Sequence, residues 1–117
     1  MRVVHDTSTE RRTLATEVEV ADSVLQQGRG LMFRRSVPDD YALVFRFRRQ
    51  RRRGLHMVFV PFDIDAVWVT DGVVQGVKRL SAWTGHGGYV ADTVVELPAG
   101  AADGVEPGDR LVVEGDT

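Results

Sequence analysis

The stretch IDAVWVTDGVVQGVKRL, residues 64–80, carries the strongest local structural signal of the chain. Two runs rich in β-branched and aromatic residues, IDAVWV and VVQGVKRL, flank the dipeptide Asp71-Gly72. Asp-Gly at the two central positions favours a type I′ turn, because the twist of that turn matches two antiparallel strands. The stretch therefore predicts an antiparallel hairpin in which Trp68 is largely buried and Gly72 has a positive φ.

Strand-like segments continue on both sides of this hairpin. Alternating or β-branched runs occur at TLATEVEV (13–20), YALVFRF (41–47), LHMVFV (55–60), DTVVEL (92–97) and RLVVE (110–114). Loops and turns are expected at SVPDD (36–40), SAWTGHGG (81–88) and EPGD (106–109), and a turn or short helix at PAGAADGV (98–105). Six or seven short strands predict a mainly-β protein, either a β-sandwich or a partly open barrel of mostly antiparallel strands.

One short helix is expected in the N-terminal half of the chain. Asp22 stands where a helix N-cap belongs, because its carboxylate can accept the amide hydrogens of the first turn. Residues 23–33 then supply apolar side chains for a helix, although Gly28 and Gly30 weaken it by up to about 1 kcal/mol each relative to alanine.

Length and composition indicate a single domain with a real core over residues 1–117, because 43% of the residues are hydrophobic. The chain has no cysteine, which excludes disulfides, zinc-thiolate sites and cysteine nucleophiles. The N-terminal residues lack a secretory signal, and no apolar run is long enough to cross a membrane. We therefore expect a cytoplasmic protein with no membrane partner.

Charge is distributed unevenly along the chain. The net charge is −2, but RFRRQRRRG (46–54) contributes +6, which leaves −8 for the rest. One interpretation is the solvated tip of a hairpin between adjacent strands, with Arg48, Arg49, Arg51, Arg52 and Arg53 exposed. The alternative is weak binding of RNA or another anion, which would depend steeply on salt. The sequence favours the solvated tip, because a nucleic-acid-binding domain is usually basic as a whole.

Six short motifs follow one another along the chain. They are GLMFR (30–34), ALVF (42–45), HM-xxx-PFD (56–63), DGVV (71–74), VELPAG (95–100) and PGD (107–109). In this order they resemble the DUF192 family of uncharacterised small proteins, and the resemblance covers about residues 18–113. It implies mostly a fold, because no activity is firmly established for the family. This chain has Leu55-His56-Met57 where the family usually has Phe-Trp-Met, which puts any function of that tryptophan in doubt.

Arg34 is the most interesting candidate for a ligand site. It closes the GLMFR motif, next to residues expected in the core, and a partly buried arginine needs an acidic partner. Asp63 and Glu96 lie inside motifs and are the expected partners, with Asp63 favoured because Pro61 stiffens its approach. Arg34 is then either a structural clamp between helix and sheet or the anchor of an anionic ligand.

Metal binding and catalysis receive little support from the remaining polar residues. His5, His56 and His86 lack the spacing of a metal site, and Met57 is more typical of core packing than of a copper ligand. Asp63 and Asp65 are two apart and could form a hydrolase acid/base pair, but such pairs are common by chance. We expect no metal, no cofactor and no catalytic residues.

The sequence thus predicts a non-catalytic binding module for a small or anionic ligand or a partner protein. Its shallow polar site would be formed by Arg34, His56, Met57 and Asp63. The protein is expected to be a monomer or a weak dimer. An RNA- or anion-binding protein acting through residues 46–53 is the first alternative, and a hydrolase using Asp63 and Asp65 is the second.

Overall fold

The computed structural model describes residues 1–21 and 30–115 of the chain. It is mainly β, as the sequence predicts, with eight strands in its described part. They are β1 (Arg2–Asp6), β2 (Arg11–Ala15), β3 (Glu17–Ala21), β4 (Tyr41–His56), β5 (Ile64–Thr70), β6 (Val73–Leu80), β7 (His86–Pro98) and β8 (Arg110–Glu114).

The β5–β6 hairpin confirms the central prediction. The two strands pair antiparallel from Ile64–Leu80 to Thr70–Val73. Asp71 and Gly72 have φ of 50° and 78°, so both central residues are left-handed, as a type I′ turn requires. Trp68 is fully buried. This hairpin occupies the middle of the sheet.

All eight strands belong to one sheet in the order β2-β1-β8-β6-β5-β7-β4-β3, in which only the β3–β4 pair is parallel. β2 and β3 lie at opposite edges of that order, yet only Thr16 separates them in the chain. The sheet must curl to bring these edges together at Thr16. The architecture is therefore the partly open barrel that the sequence allowed.

Hydrophobic cores lie on both faces of the central strands. In β5, Ala66 and Trp68 belong to one buried cluster, whereas Val67 and Val69 belong to another. The alternation follows from the pleat of a strand, which sends successive side chains to opposite faces. The first cluster is covered by residues 30–37 and 57–62, and these two segments contain residues of the site described below.

β4 corrects two predictions. The strand runs without interruption through the arginines, and LHMVFV stops being a strand after His56. Both halves of β4 pair with the same partner, β7, with a shift in register between Arg46 and Arg51. Residues 47–50 thus stand opposite Asp92 alone, as a large bulge. Arg48, Arg49, Arg51 and Arg52 are exposed as predicted, whereas Arg53 is partly buried. Arg48 and Arg49 lie in the bulge and Arg51–Arg53 in the paired residues that follow it, so the run belongs to one strand and is not the tip of a hairpin between two.

Smaller differences occur near the N-terminus. The segment TLATEVEV divides into β2 and β3, and β1 precedes them without having been predicted. His86–Gly88 begins β7 and does not belong to a loop. Of the predicted helix over residues 23–33 with its N-cap at Asp22, residues 22–29 lie outside the described residues, and residues 30–33 form a turn. Within the described residues no helix has the length and apolar character needed to span a bilayer.

Candidate functional site

Arg34 is placed by the turn that follows Gly30, and its partner is an acid that the sequence did not suggest. Its guanidinium donates two hydrogen bonds to Glu19 on β3, from Nη1 to Oε1 at 3.3 Å and from Nη2 to Oε2 at 3.0 Å. The hydrogen bond to Glu19 raises the pKa of Arg34. The predicted hydrogen bond to Asp63 or Glu96 is therefore wrong, because Arg34 instead contacts the exposed carboxylate of Glu19 on the nearby edge strand β3.

His56, Met57 and Asp63, the residues predicted to join Arg34 in one site, each make contacts that belong to the fold. His56 is exposed at the end of β4, and its Nδ1 accepts the N–H of Val58 at 3.3 Å. Met57 is buried in the core. Asp63 accepts the N–H of Ala82 at 2.8 Å and so fixes the loop that follows β6. Each of these side chains has a structural role that accounts for its position.

Asp65, the partner of Asp63 in the hydrolase alternative, is committed to the fold. Its buried carboxylate accepts the N–H groups of Gly100 and Ala102 at 2.9 and 3.0 Å and a side-chain hydrogen bond from Arg79 at 2.8 Å. Asp65 therefore supplies the hydrogen-bond acceptor for backbone N–H groups of the turn after β7, in the segment PAGAADGV, where a turn or short helix was predicted. Among the described residues, no group of three or more histidines and acids could hold a metal ion.

Three exposed aromatic side chains form the most unusual surface of the described structure. Phe33 is 61% exposed, Phe59 49% and Trp83 57%. All three have left-handed backbones, with φ of 68°, 60° and 68°. Left-handed φ is uncommon for residues other than glycine, asparagine and aspartate, and such outliers concentrate at functional sites. We call these three residues the aromatic surface.

Hydrogen bonds between backbones bring the three loops of the aromatic surface together. The N–H of Phe33 donates to the carbonyl oxygen of Phe59 at 2.8 Å, and that of Trp83 donates to Val60 at 3.0 Å. The rings of Phe33 and Phe59 stack with centroids 4.9 Å apart. The loop of Trp83 closes tightly, because a Cβ at Gly85 would lie 2.5 Å from the Ser81 nitrogen. The surface is thus a built feature of the backbone.

A buried polar pair lies beneath the same segment of chain. Glu96 of β7 is buried in the core, and burial raises the pKa of its carboxyl to about 7, although the nearby charge of Arg34 opposes this shift. A Cβ on Gly30 would lie 3.4 Å from Glu96 Oε1. Tyr41 is buried beside them, and its hydroxyl lacks a hydrogen-bond partner among the described residues. Burial raises the pKa of Tyr41 to about 12.

Residues 46–53 of β4, which include the bulge opposite Asp92, form a strongly basic surface, and we call them the arginine bulge. Arg48, Arg49, Arg51 and Arg52 are exposed, whereas Arg53 is partly buried. The carbonyl oxygen of Arg53 accepts the indole N–H of Trp68 at 2.6 Å, which ties the bulge to the central hairpin.

Sequence reasoning missed the aromatic surface. Phe33 lies inside the GLMFR motif and Phe59 inside a predicted strand, and neither was considered as a site residue. The available signal was Trp83, a large aromatic residue in a glycine-rich loop, where small polar residues are usual. The left-handed backbones could not be seen in the sequence, because none of the three residues is a type that favours that conformation.

Comparison with known proteins agrees with this architecture. The model of the DUF192 family, described as "Uncharacterized ACR", matches residues 4–113. A solved structure from Sinorhizobium meliloti 1021, described as a "putative transcription regulator", is 28% identical, with a TM-score of 0.82 over 95% of this chain and 91% of that chain. A Novosphingobium aromaticivorans protein of unknown function has a TM-score of 0.83 at 22% identity, over 96% of this chain and 84% of that one. No curated protein matches the chain.

Proposed function

We propose that this chain, which belongs to the DUF192 family, is a binding module that holds an apolar segment of a partner protein on its aromatic surface. One observation carries the proposal. Phe33, Phe59 and Trp83 are exposed and left-handed at the same time, on three loops that backbone hydrogen bonds hold together.

The backbone strain argues that these side chains serve something other than folding. A left-handed conformation costs an L-residue roughly 1–2 kcal/mol, whereas glycine or asparagine adopts it at lower cost. Three such residues together cost several kcal/mol, a large fraction of the roughly 5–15 kcal/mol of stability of a typical domain. Exposed side chains return little of this through burial. Large aromatic residues at these positions are therefore explained by recognition.

The size of the surface favours a short segment over a second copy of the chain. Aromatic side chains present roughly 150–250 Å² each, so three that are about half exposed offer on the order of 300 Å². This matches the functional patches found on monomers. It falls well below the roughly 800 Å² that each partner contributes to a standard interface.

The arrangement of the rings favours an apolar peptide over a sugar. A sugar-binding platform needs ring faces side by side and open to solvent. Phe33 and Phe59 instead stack on each other with an interplanar angle of 21°, so each ring has one face covered. The edge and outer face of Phe59, with the loop of Trp83 beside it, suit aliphatic and aromatic side chains. Arg34 and Glu19 lie next to Phe33 and would form a charged rim.

Selection from a library of random short peptides tests the proposal. Peptides that bind the immobilised chain should carry apolar anchor residues, and binding should shift the fluorescence of Trp83, because Trp68 is already buried. The variants Phe59→Asn and Trp83→Asn should each weaken binding at least tenfold, a loss typical of interface anchors.

Val90 supplies the matched control, because it is 46% exposed and lies outside the aromatic surface. Val90→Ser should bind the selected peptides as tightly as the parent chain. Peptides that bind the Phe59→Asn and Trp83→Asn variants undiminished would place the binding surface elsewhere and refute the proposal.

A further inference from the structure

We propose that the arginine bulge is a second binding surface, which holds the phosphodiester backbone of a nucleic acid through Arg48, Arg49, Arg51 and Arg52. This goes beyond the proposed function, because it concerns a separate surface and a different class of partner. The inference rests on three properties of the bulge: an internal brace, charges that the described acids do not neutralise, and an open approach.

Arg53 braces the bulge from inside. Its Nη2 donates to the carbonyl oxygen of Arg49 at 2.7 Å, and its Nε donates to that of Ala91 at 3.4 Å. Its guanidinium also stacks 3.7 Å above the ring of Phe47. One arginine therefore connects the start of the bulge, the middle of the bulge and the facing strand β7. A merely solvated charge run would not need this internal support.

Arg48, Arg49, Arg51 and Arg52 are not neutralised by the described acids. The ion pairs of the described residues join arginines elsewhere to Asp6, Glu19, Asp65, Asp103 and Glu114. Arg48, Arg49, Arg51 and Arg52 are absent from those pairs and are exposed. Four like charges are thus held close together on a chain whose net charge is negative, which concentrates a positive field at one place.

The face beside Arg52 is open to a long ligand. Gly54 and Gly88 pair directly across β4 and β7, so this part of the two-stranded ribbon carries no side chains. A Cβ on Gly88 would lie 3.4 Å from Arg52 Nη2, which places the guanidinium over the glycine pair. A polymer that approaches this glycine pair therefore meets the Arg52 guanidinium first.

The chemistry of the surface favours phosphodiesters. The chain has 15 basic residues, of which Lys78 is the only lysine, and all the basic residues of the bulge are arginines. Planar guanidinium groups bind phosphate with two parallel hydrogen bonds, which ammonium groups cannot do. An anionic membrane would be a poorer match, because stable surface binding also needs an extended apolar face to insert, and the large exposed apolar side chains on the described β7 beside the bulge are Tyr89 and Val90.

Binding of fluorescently labelled single-stranded RNA, measured by anisotropy over a range of KCl concentrations, tests the inference. Four phosphate contacts predict a slope of log Kobs against log salt of about −3, and a DNA duplex should give about −3.5. The variant Arg51→Ser/Arg52→Ser should halve either slope. The nucleic acid that binds more tightly, RNA or DNA, is then identified as the source of the phosphates.

Arg35→Ser/Arg110→Ser is the charge-matched control, because it removes two exposed arginines outside the bulge. It should leave the slope unchanged. An equal fall in slope for both double variants would show that net charge alone is responsible and would overturn the site. Polyglutamate or anionic lipid vesicles that displace the RNA at equal charge concentration would overturn the choice of nucleic acid.

Arg53→Lys tests the brace without changing the charge. Lysine cannot make the two backbone hydrogen bonds and the stacking contact together, so we expect affinity to fall several-fold while the melting temperature stays near that of the parent chain. Arg53 is thus a positioning residue. Unchanged affinity in this variant would mean that the geometry of the bulge is irrelevant, and it would refute a built site.

Discussion

Phe33 and Phe59 are joined twice, by a 2.8 Å hydrogen bond between their backbones and by stacked rings whose centroids lie 4.9 Å apart. The hydrogen bond connects the turn after Gly30 to the loop after β4, and both residues are left-handed where it forms. The position of the aromatic surface is therefore set by main-chain geometry. Substitution of the aromatic side chains therefore leaves in place the backbone hydrogen bond that holds the two loops together.

Replacing the aromatic residues by asparagine should leave the fold intact. Trp83→Asn should be at least as stable as the parent chain, because asparagine tolerates a left-handed backbone better than tryptophan does. In Phe59→Asn the relief of strain is offset by the lost ring contact, which is worth about 0.5–1.5 kcal/mol. Denaturant unfolding should therefore give a change near zero. Phe59→Val, with a β-branched residue at the same φ, should instead lose about 1 kcal/mol or more.

The type I′ turn makes Gly72 hard to replace. Gly72→Val should lower the free energy of unfolding by about 1 kcal/mol or more, because a β-branched residue resists a φ of 78°. Asp71→Asn should be nearly neutral, since asparagine suits the other left-handed position of the turn. Thermal denaturation of the two variants checks this. A Gly72→Val variant as stable as the parent chain would contradict the assigned turn.

Asp65 and Arg79 form an ion pair whose two members should contribute unequally. Asp65→Ala removes the acceptor of two backbone N–H groups, one of them buried, and should destabilise the fold by about 2 kcal/mol or more. Arg79→Ala removes only a half-exposed partner, and we expect a loss of less than about 1 kcal/mol. Chemical denaturation distinguishes the two. Equal losses would mean that Asp65 stabilises the fold through its ion pair with Arg79 and not through its hydrogen bonds to the turn.

Glu96 should make stability depend on pH near neutrality. Its folded-state pKa of about 7 lies above its ordinary value of 4.5 because burial disfavours the charged form. The folded chain then binds more protons than the unfolded chain between these values. The contribution of Glu96 is therefore complete below about pH 4.5 and is lost as pH rises through about 7, a change on the order of 3 kcal/mol.

Glu96→Gln should remove this part of the pH dependence. As pH rises from 5 to about 7.5, the unfolding free energy of the parent chain should fall relative to that of the variant. Glu19→Gln, which changes an exposed carboxylate, serves as the control and should leave the slope nearly unchanged. Parallel pH profiles for the parent chain and Glu96→Gln would show that Glu96 stays ionised in the fold.

The arginine bulge should tolerate changes at its exposed positions but not at its brace. Arg51→Ser and Arg52→Ser should each change stability by no more than about 0.5 kcal/mol, as is usual for exposed residues. Arg53→Ser should cost about 1 kcal/mol, because two backbone carbonyl groups lose a donor and Phe47 loses its cover. Melting temperatures of the three single variants check the ranking. A costly change at Arg51 or Arg52 would show that the bulge supports the core.

Local signals predicted the centre of the fold well. The Asp71-Gly72 turn, the burial of Trp68 and the mainly-β class follow from residue types within a few positions of one another. Partner choice was harder. Arg34 was expected to contact a motif acid, but the edge strand β3 brings Glu19 closer, and that placement depends on a parallel pairing of β3 with β4 that no local pattern reveals.

The candidate site was largely hidden from the sequence for a related reason. Phe33, Phe59 and Trp83 are far apart in the chain, and apolar residues in strand-like segments are normally buried. Their exposure results from loop conformations fixed by contacts between distant segments. The run of arginines was evident in the sequence. The shape of the arginine bulge, however, depends on how many residues of β7 lie opposite it, and only the pairing of the sheet determines that number.

The position of β8 between β1 and β6 constrains the order in which the chain can assemble. β1 and β2 can pair as soon as they are synthesised, whereas Val3 pairs with Val113 across almost the whole sequence. Until β8 emerges from the ribosome, β1 and β6 each present an unpaired strand edge, the kind of surface that recruits other chains. The interval between the synthesis of β6 and that of β8 is therefore the stage at which this sheet is most open to other chains, and it lasts until five residues, Arg110–Glu114, complete the sheet.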